Sequence, residues 1–203
     1  MKNFYERYWD TEPAELSDYR YKWPVLSQYI PRDTSTILDY GCGKGKILSD
    51  VSKLNKHGRL YGADISRTAR TVSKRVVPRA KILEIDENQK VSLPDHSCDF
   101  VLSLDVIEHI YDTDKVFSEF RRLVKKDGYV LLSTPYYGVI KNIIIALIGF
   151  TVVYHPRSPH IRFYTMKSLL GLLHDYGFHE QRIGYYGRFS PVWRGMYVLA
   201  KKL

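Results

Sequence analysis

The chain has 203 residues, 44% hydrophobic and 14% aromatic, enough apolar material for one ordinary core, which excludes disordered, collagen-like and disulfide-scaffold classes. Lys and Arg number 31 against 22 Asp and Glu, a net charge of +9, and residues 151–203 alone hold eight basic against two acidic side chains, so anionic partners are favoured near the C-terminal third. Only Cys42 and Cys98 occur, in no metal-ligand spacing, which excludes zinc ribbons and fingers and points to a reducing compartment.

Residues 1–33 read as a helical N-terminal cover in which Tyr5, Tyr8 and Trp9 share a helical face. These aromatics, with Arg20, either close over a ligand or simply pack on the sheet edge. The opening segment lacks the apolar run of a secretory signal, so a cytoplasmic location is expected. From residue 34 strand-like and helix-like runs alternate, the pattern of βα units feeding a parallel sheet. Strands are predicted over 35–41, 59–64, 80–86, 98–105 and 128–135, and helices over 46–54, 68–77 and 114–124. The last helix buries Val116, Phe117, Phe120, Leu123 and Val124, takes Asp112 or Thr113 as N-cap, and closes at Asp127 and Gly128. A lid-like insert over 136–164 contains the longest apolar run, Ile143 to Val153. As a helix that run spans roughly 16 Å against about 30 Å for a hydrocarbon core, so it cannot cross a membrane but can lie on one. Thr165 then caps a helix ended by Gly177, and 178–186 and 193–202 read as a final strand hairpin. One domain over 1–203 accounts for the pattern, with no repeat or linker.

The strongest local signal runs from Ile37 to Gly45, a strand entering a glycine-rich turn ahead of a helix. Gly41, Gly43 and Gly45 let the backbone approach a ligand, and the helix N-terminus behind them presents free N–H groups. The dinucleotide fingerprint fails at Lys46 and the phosphate loop fails at Ile47, which weighs against hydride transfer and nucleotide hydrolysis.

Asp39 ahead of the turn, Gly62-Ala63-Asp64-Ile65 at the next strand end, the DFVLSLDVIEHI stretch, RRLVKKDGYVLLSTP and the C-terminal HIRFYTMKSLLGLLHDYGF together resemble the class I S-adenosylmethionine (SAM)-dependent methyltransferases. The resemblance covers residues 35–203 and implies a Rossmann-like α/β fold: seven mostly parallel strands, helices on both faces and a C-terminal β-hairpin. It implies SAM as cofactor, cradled by Gly41, Cys42, Gly43 and Gly45. Asp39 would take the ammonium, Asp64 the ribose hydroxyls, Ile65 the adenine face and Asp86 the adenine amino group, with Leu104 and Asp105 completing the wall.

Methyl transfer asks the protein for in-line positioning, a dry pocket and a proton sink for an oxygen or nitrogen nucleophile. Glu108 and His109 follow Asp105 at a strand's carboxyl end, where open α/β sheets bind ligands, and His160 lies downstream. His109 or His160 is the expected general base, supported by Glu108. The alternative is that Glu108 and His109 only brace the cofactor loop. The D-x-x-E-H stretch is also similar to the E-x-x-E-H of divalent-cation-dependent O-methyltransferases acting on ubiquinone precursors and on small-RNA ends, so magnesium is a variant, although no metal is assigned.

A small or lipid-like acceptor is expected, with possible peripheral membrane contact through 139–153 aided by Arg157 and Arg162. The same run can instead be core or a subunit contact. RNA is the rival acceptor, stacking on Tyr154, Phe163, Tyr164, Tyr185, Tyr186 and Trp193, but the basic residues are scattered. A non-catalytic binding module is the remaining class; the complete glycine turn with Asp39 and Asp64 argues against it.

Overall fold

Ile37–Tyr40 (β1), Leu60–Asp64 (β2), Lys81–Glu84 (β3) and Cys98–Leu104 (β4) pair in parallel, as short apolar strands followed by helices must. They belong to a computed structural model that describes residues 2–11, 18–33, 35–155 and 158–203. Val124–Pro135 (β5) extends the parallel ladder beside β4. Phe178–Tyr186 (β6) and Gly195–Lys202 (β7) close the sheet antiparallel, in the order β3-β2-β1-β4-β5-β7-β6. This is the seven-stranded α/β arrangement expected, with its order reversing between β1 and β4.

The central strands are buried on both faces, so side chains alternate between two cores. Ile37, Phe100, Leu102 and Leu131 pack with Leu26 of Tyr19–Leu26 (α2) and with Leu48 and Val51 of Lys46–Leu54 (α3). Leu38, Tyr40, Val101, Val130 and Leu132 face Phe117 and Phe120 of Thr113–Leu123 (α5) and Leu169 and Leu173 of Met166–Asp175 (α8). Asp112 caps α5, accepting from the Lys115 amide at 3.2 Å, and a Thr165–Ser168 capping box starts α8.

The expected helix end at Asp127 and Gly128 is corrected. The helix stops at Leu123 because Val124 already ladders with Cys98. The register then shifts between Cys98 and Phe100, where Gly128 passes so close to the Asp99 carbonyl that a Cβ would stand 2.9 Å from it. The apolar insert is also two helices rather than one, Val139–Ile148 (α6) and Phe150–Val153 (α7), parted at Gly149. Among the described residues, no helix is long and apolar enough to cross a membrane. Arg157 lies outside the described residues.

Two further helices pack on each other. Lys2–Thr11 (α1) lies on Arg67–Val76 (α4), whose N-cap Ser66 accepts from the Ala69 amide. Glu6 of α1 reaches the same helix N-terminus, accepting from the Arg67 amide at 2.6 Å, the Thr68 amide at 3.0 Å and the Ser66 hydroxyl at 2.9 Å. A carboxylate there completes orphan donors and meets the positive helix end. Burial, the largest single effect, raises the Glu6 carboxyl, yet these bonds together hold it down to about 2.

Candidate active site

A cavity of about 610 Å³ opens where the strand order reverses, across the carboxyl ends of β1, β2, β4 and β5. Its floor is the glycine turn. Gly41 (φ 83°) lies so close to Val106 that a Cβ would stand 2.3 Å from its methyl carbon, and a Cβ on Gly43 (φ 51°) would meet the Trp9 ring at 2.6 Å. Cys42 is buried beside them in the cavity wall, and burial pushes its thiol well up. Gly45 belongs to a different job from the one expected. It lies outside the wall, at the N-cap of α3, and a Cβ there would stand 2.7 Å from Ser73 Oγ of α4. Its smallness serves helix packing.

Asp39 and Asp64 both face this cavity and both are buried. Asp64 accepts from the Gly43 amide at 2.9 Å and from the Ser66 amide at 2.8 Å, tying the first turn to the second. Burial raises its carboxyl and those two amides oppose the rise. Among the described residues Asp39 Oδ2 has no partner, and burial, then the Asp64 charge, push its carboxyl up to about 8. Ile65 and Leu104 line the cavity as expected. Asp86 does not: its Oδ1 accepts from the Asn88 and Lys90 amides, both at 2.8 Å, and the wall there is Ile85 and Gln89. An Asx turn holds the side chain away. Gln89, buried with a positive φ, was missed; a polar residue closing that turn was its only signal.

At the other end Asp105 (φ 56°) accepts from Ser133 Oγ at 2.8 Å, from the Tyr186 hydroxyl at 3.1 Å and from the Lys22 ammonium. Lys22 also pairs with Asp18 at 3.4 Å and is almost wholly buried. Burial opposes both charges of the Lys22–Asp105 pair, yet each group's partner outweighs it, raising Lys22 and lowering Asp105. Lys22 was not anticipated. It falls on the inward face of α2, four residues before buried Leu26, where a lone cation signals a distant carboxylate.

Glu108 is fully buried, neither carboxyl oxygen makes a full hydrogen bond among the described residues, and burial followed by the Asp105 charge drives it well above the carboxylate range. His109 Nδ1 lies 3.0 Å from the Pro159 carbonyl, which makes it the protonated nitrogen and leaves Nε2 free, 4.0 Å from Glu108 Oε1. Burial lowers His109 to about 4, the Pro159 bond opposing and His160 adding to the fall. The Ile161 and Arg162 amides both donate to the Glu108 carbonyl at 3.0 Å, and this pin sets the His160 ring 4.9 Å from that of His109. Burial lowers His160 as well. Glu108, His109 and His160 each bring one ligand atom within 4.8 Å of the others, a set a metal ion can use, whereas Asp105 is engaged by Lys22.

Tyr5, Tyr8 and Trp9 of α1 roof the cavity, with Tyr5 edge-on to His109 at 6.1 Å. Arg20 does not join them; it is exposed and donates to the Tyr21 hydroxyl at 2.7 Å. Arg162 likewise braces the Tyr111 carbonyl. Of the aromatics named for stacking bases, Tyr164 and Tyr186 are buried, Tyr185 stacks on Trp193, and Tyr154 packs edge-on to Phe163.

The family described as a methyltransferase domain matches residues 4–180. A probable S-adenosylmethionine-dependent methyltransferase of Mycobacterium tuberculosis is 27% identical over 131 residues, 64% of this chain and 43% of that protein. A ubiquinone biosynthesis O-methyltransferase of Albidiferax ferrireducens is 25% identical over 166 residues, 76% of this chain and 64% of that protein. The chain thus spans less than two thirds of either relative's length. In fold it is similar to a SAM-dependent methyltransferase from Aquifex aeolicus, with a TM-score of 0.73 at 18% identity over 94% of this chain and 95% of the other. It is similar also to the magnesium protoporphyrin IX methyltransferase of Synechocystis, solved with bound SAH, with a TM-score of 0.66 at 18% identity over 99% and 84% of the two chains.

Proposed function

We propose, from the premise that this chain belongs to the methyltransferase domain family, that it transfers a methyl group from SAM to an oxygen or nitrogen of a small or lipid-like acceptor. The observation that carries this is the unpartnered, buried Asp39 oxygen facing a cavity floored by Gly41 and Gly43 and flanked by Asp64. A buried acceptor atom without a partner is costly, and an ammonium donor satisfies it. In this reading Asp39 takes the amino-acid end of SAM, Asp64 the ribose, and Ile65 the adenine face. When bound, SAM supplies a methyl group on a positively charged sulfonium that departs as a neutral thioether.

The chain's own residues do the rest. His109 is the base: its Nδ1–H is held by Pro159, so the proton of an acceptor hydroxyl or amine goes to Nε2. Glu108, 4.0 Å away, is the nearest carboxyl to the imidazolium that results. Tyr5, Tyr8 and Trp9 exclude water from above. Lys22 neutralises Asp105, which supports a reaction without a divalent cation. Turnover therefore survives dialysis against EDTA; loss that magnesium restores would assign Glu108, His109 and His160 to a cation instead.

The insert favours a lipid-like acceptor. On α6 and α7, Val139, Leu147, Ile148 and Val152 are each at least 75% exposed, and Ile145 is the one buried side chain of α6. An apolar face of this kind suits an amphiphile or a membrane surface.

Calorimetric titration with SAM and its demethylated product SAH tests the cofactor assignment. The wild type binds both, and Asp64→Ala, which removes a carboxylate holding two hydroxyls, weakens SAM by about a hundredfold. Retained affinity with an intact melting transition removes Asp64 from the ribose role.

A further inference from the structure

We infer that Arg194 selects acceptors bearing an anionic group, a carboxylate or phosphate monoester, at the end of the cavity beside α6. This rests on the acceptor reading above and narrows it.

Arg194 lines the cavity, and its placement is built rather than incidental. Its amide donates to the Tyr186 and Gly187 carbonyls at 3.0 and 3.1 Å, and its carbonyl accepts from the Tyr136 amide at 3.1 Å. Its stem lies against Gly187 (φ 65°), where a Cβ would stand 2.9 Å from Arg194 Cγ. The guanidinium carbon sits 5.2 Å over the Tyr21 ring. No carboxylate pairs with it among the described residues; Asp18 and Asp105, the acids on the same wall, are taken by Lys22.

Beyond those two acids, the surroundings add positive charge. Lys141 of α6 donates to the Tyr136 and Trp193 carbonyls at 2.7 and 3.0 Å. Burial, then Arg188 and Arg194, push it down to about 8. Lys141 thus lies within electrostatic reach of Arg194 and Arg188, its ammonium held on the carbonyls of Tyr136 and Trp193 beside them. A half-buried guanidinium without a counter-charge is an unfinished ion pair, and its planar fork matches a carboxylate or phosphate bidentately. Lys141 stands on α6, whose Val139, Leu147 and Ile148 are exposed, so the matching molecule has an anionic group and an apolar body.

The test titrates SAH-loaded protein with octanoate, octyl phosphate and octanol, all as monomers, and with inorganic phosphate. Wild type is expected to bind the two anions at least about tenfold more tightly than octanol. Arg194→Gln abolishes that preference and keeps the SAH affinity, while Arg194→Lys restores part of it. Equal binding of octanol and its anionic partners by wild type, or a preference that survives Arg194→Gln, overturns the inference. Phosphatidylglycerol vesicles distinguish an acceptor's own charge from a lipid headgroup. If Arg194→Gln loses only vesicle sedimentation, the anion is the membrane's and the inference fails. If inorganic phosphate binds through Arg194 and octanol does not bind at all, Arg194 keeps its role and the lipid-like acceptor falls. Binding of none of the four overturns both.

Discussion

Asp39 carries a measurable signature of its burial. Its carboxyl lies at about 8 in the fold against about 4 in an unfolded chain, so between those values the folded protein binds a proton that the unfolded chain lacks. Stability supplied by the neutral carboxyl is therefore present below about pH 4 and declines as pH rises toward 8. Asp39→Asn removes that dependence. It raises Tm at pH 8 by about 3 °C, and by less at pH 5, while weakening SAM binding; an unchanged melting profile across pH would mean that the carboxyl is ionised in the fold. His109 gives the opposite sign. Lowered to about 4, it is neutral at working pH, and the proton it refuses in the fold costs stability as pH falls from about 6.5 toward 4. As the base it places the acidic limb of kcat/KM near 4 rather than 6.5. His109→Ala lowers kcat about a hundredfold or more with SAM affinity nearly unchanged. An equal loss on His160→Ala alone, with His109→Ala silent, moves the role to His160.

The first helix works as a clasp. Glu6 fastens α1 to the N-terminus of α4 with three bonds, and Asp10 adds a longer one from the Thr68 hydroxyl at 3.4 Å, so the roof formed by Tyr5, Tyr8 and Trp9 rests chiefly on the Glu6 carboxylate. Glu6→Ala costs about 1 kcal/mol of that attachment. SAH is then expected to bind about fivefold more weakly and to dissociate faster in stopped flow. An unchanged dissociation rate would make α1 a passive cover. At the opposite rim, Leu147 and Ile148 are 78% and 86% exposed. Replacing both with Glu abolishes sedimentation with phosphatidylglycerol vesicles and leaves SAM binding intact; a wild-type protein that never sediments ends the membrane reading.

Taken across the whole chain, what could be read from sequence was what neighbours in sequence determine. The glycine turn, Asp64 two residues before Ser66, and α5 with its cap each depend on contacts within a few residues. The pairing of Lys22 with Asp105 spans 83 positions and has no local trace beyond a cation on an apolar face. Arg194 and Gln89 reach the wall through the crossing of separate elements, so neither was anticipated. Asp86, expected at the adenine from the family resemblance, is instead drawn aside by the amides of Asn88 and Lys90, a turn chemistry that the resemblance does not carry. The break at Gly149 was likewise visible as a glycine but outweighed by the hydrophobic run.

The order in which the last three strands lie has a consequence for synthesis. Residues 195–202 insert between β5 and β6, pairing with both, so a segment made after both of its neighbours fills an interior place in the sheet. Until the ribosome has released that stretch, β5 presents a long unpaired edge of Leu131 and its neighbours, and the corner holding Arg194 does not exist. The nascent chain therefore carries the glycine-turn half of the cavity assembled while the corner of Arg194 is open, a window in which chaperones and aggregation compete for the same strand edge.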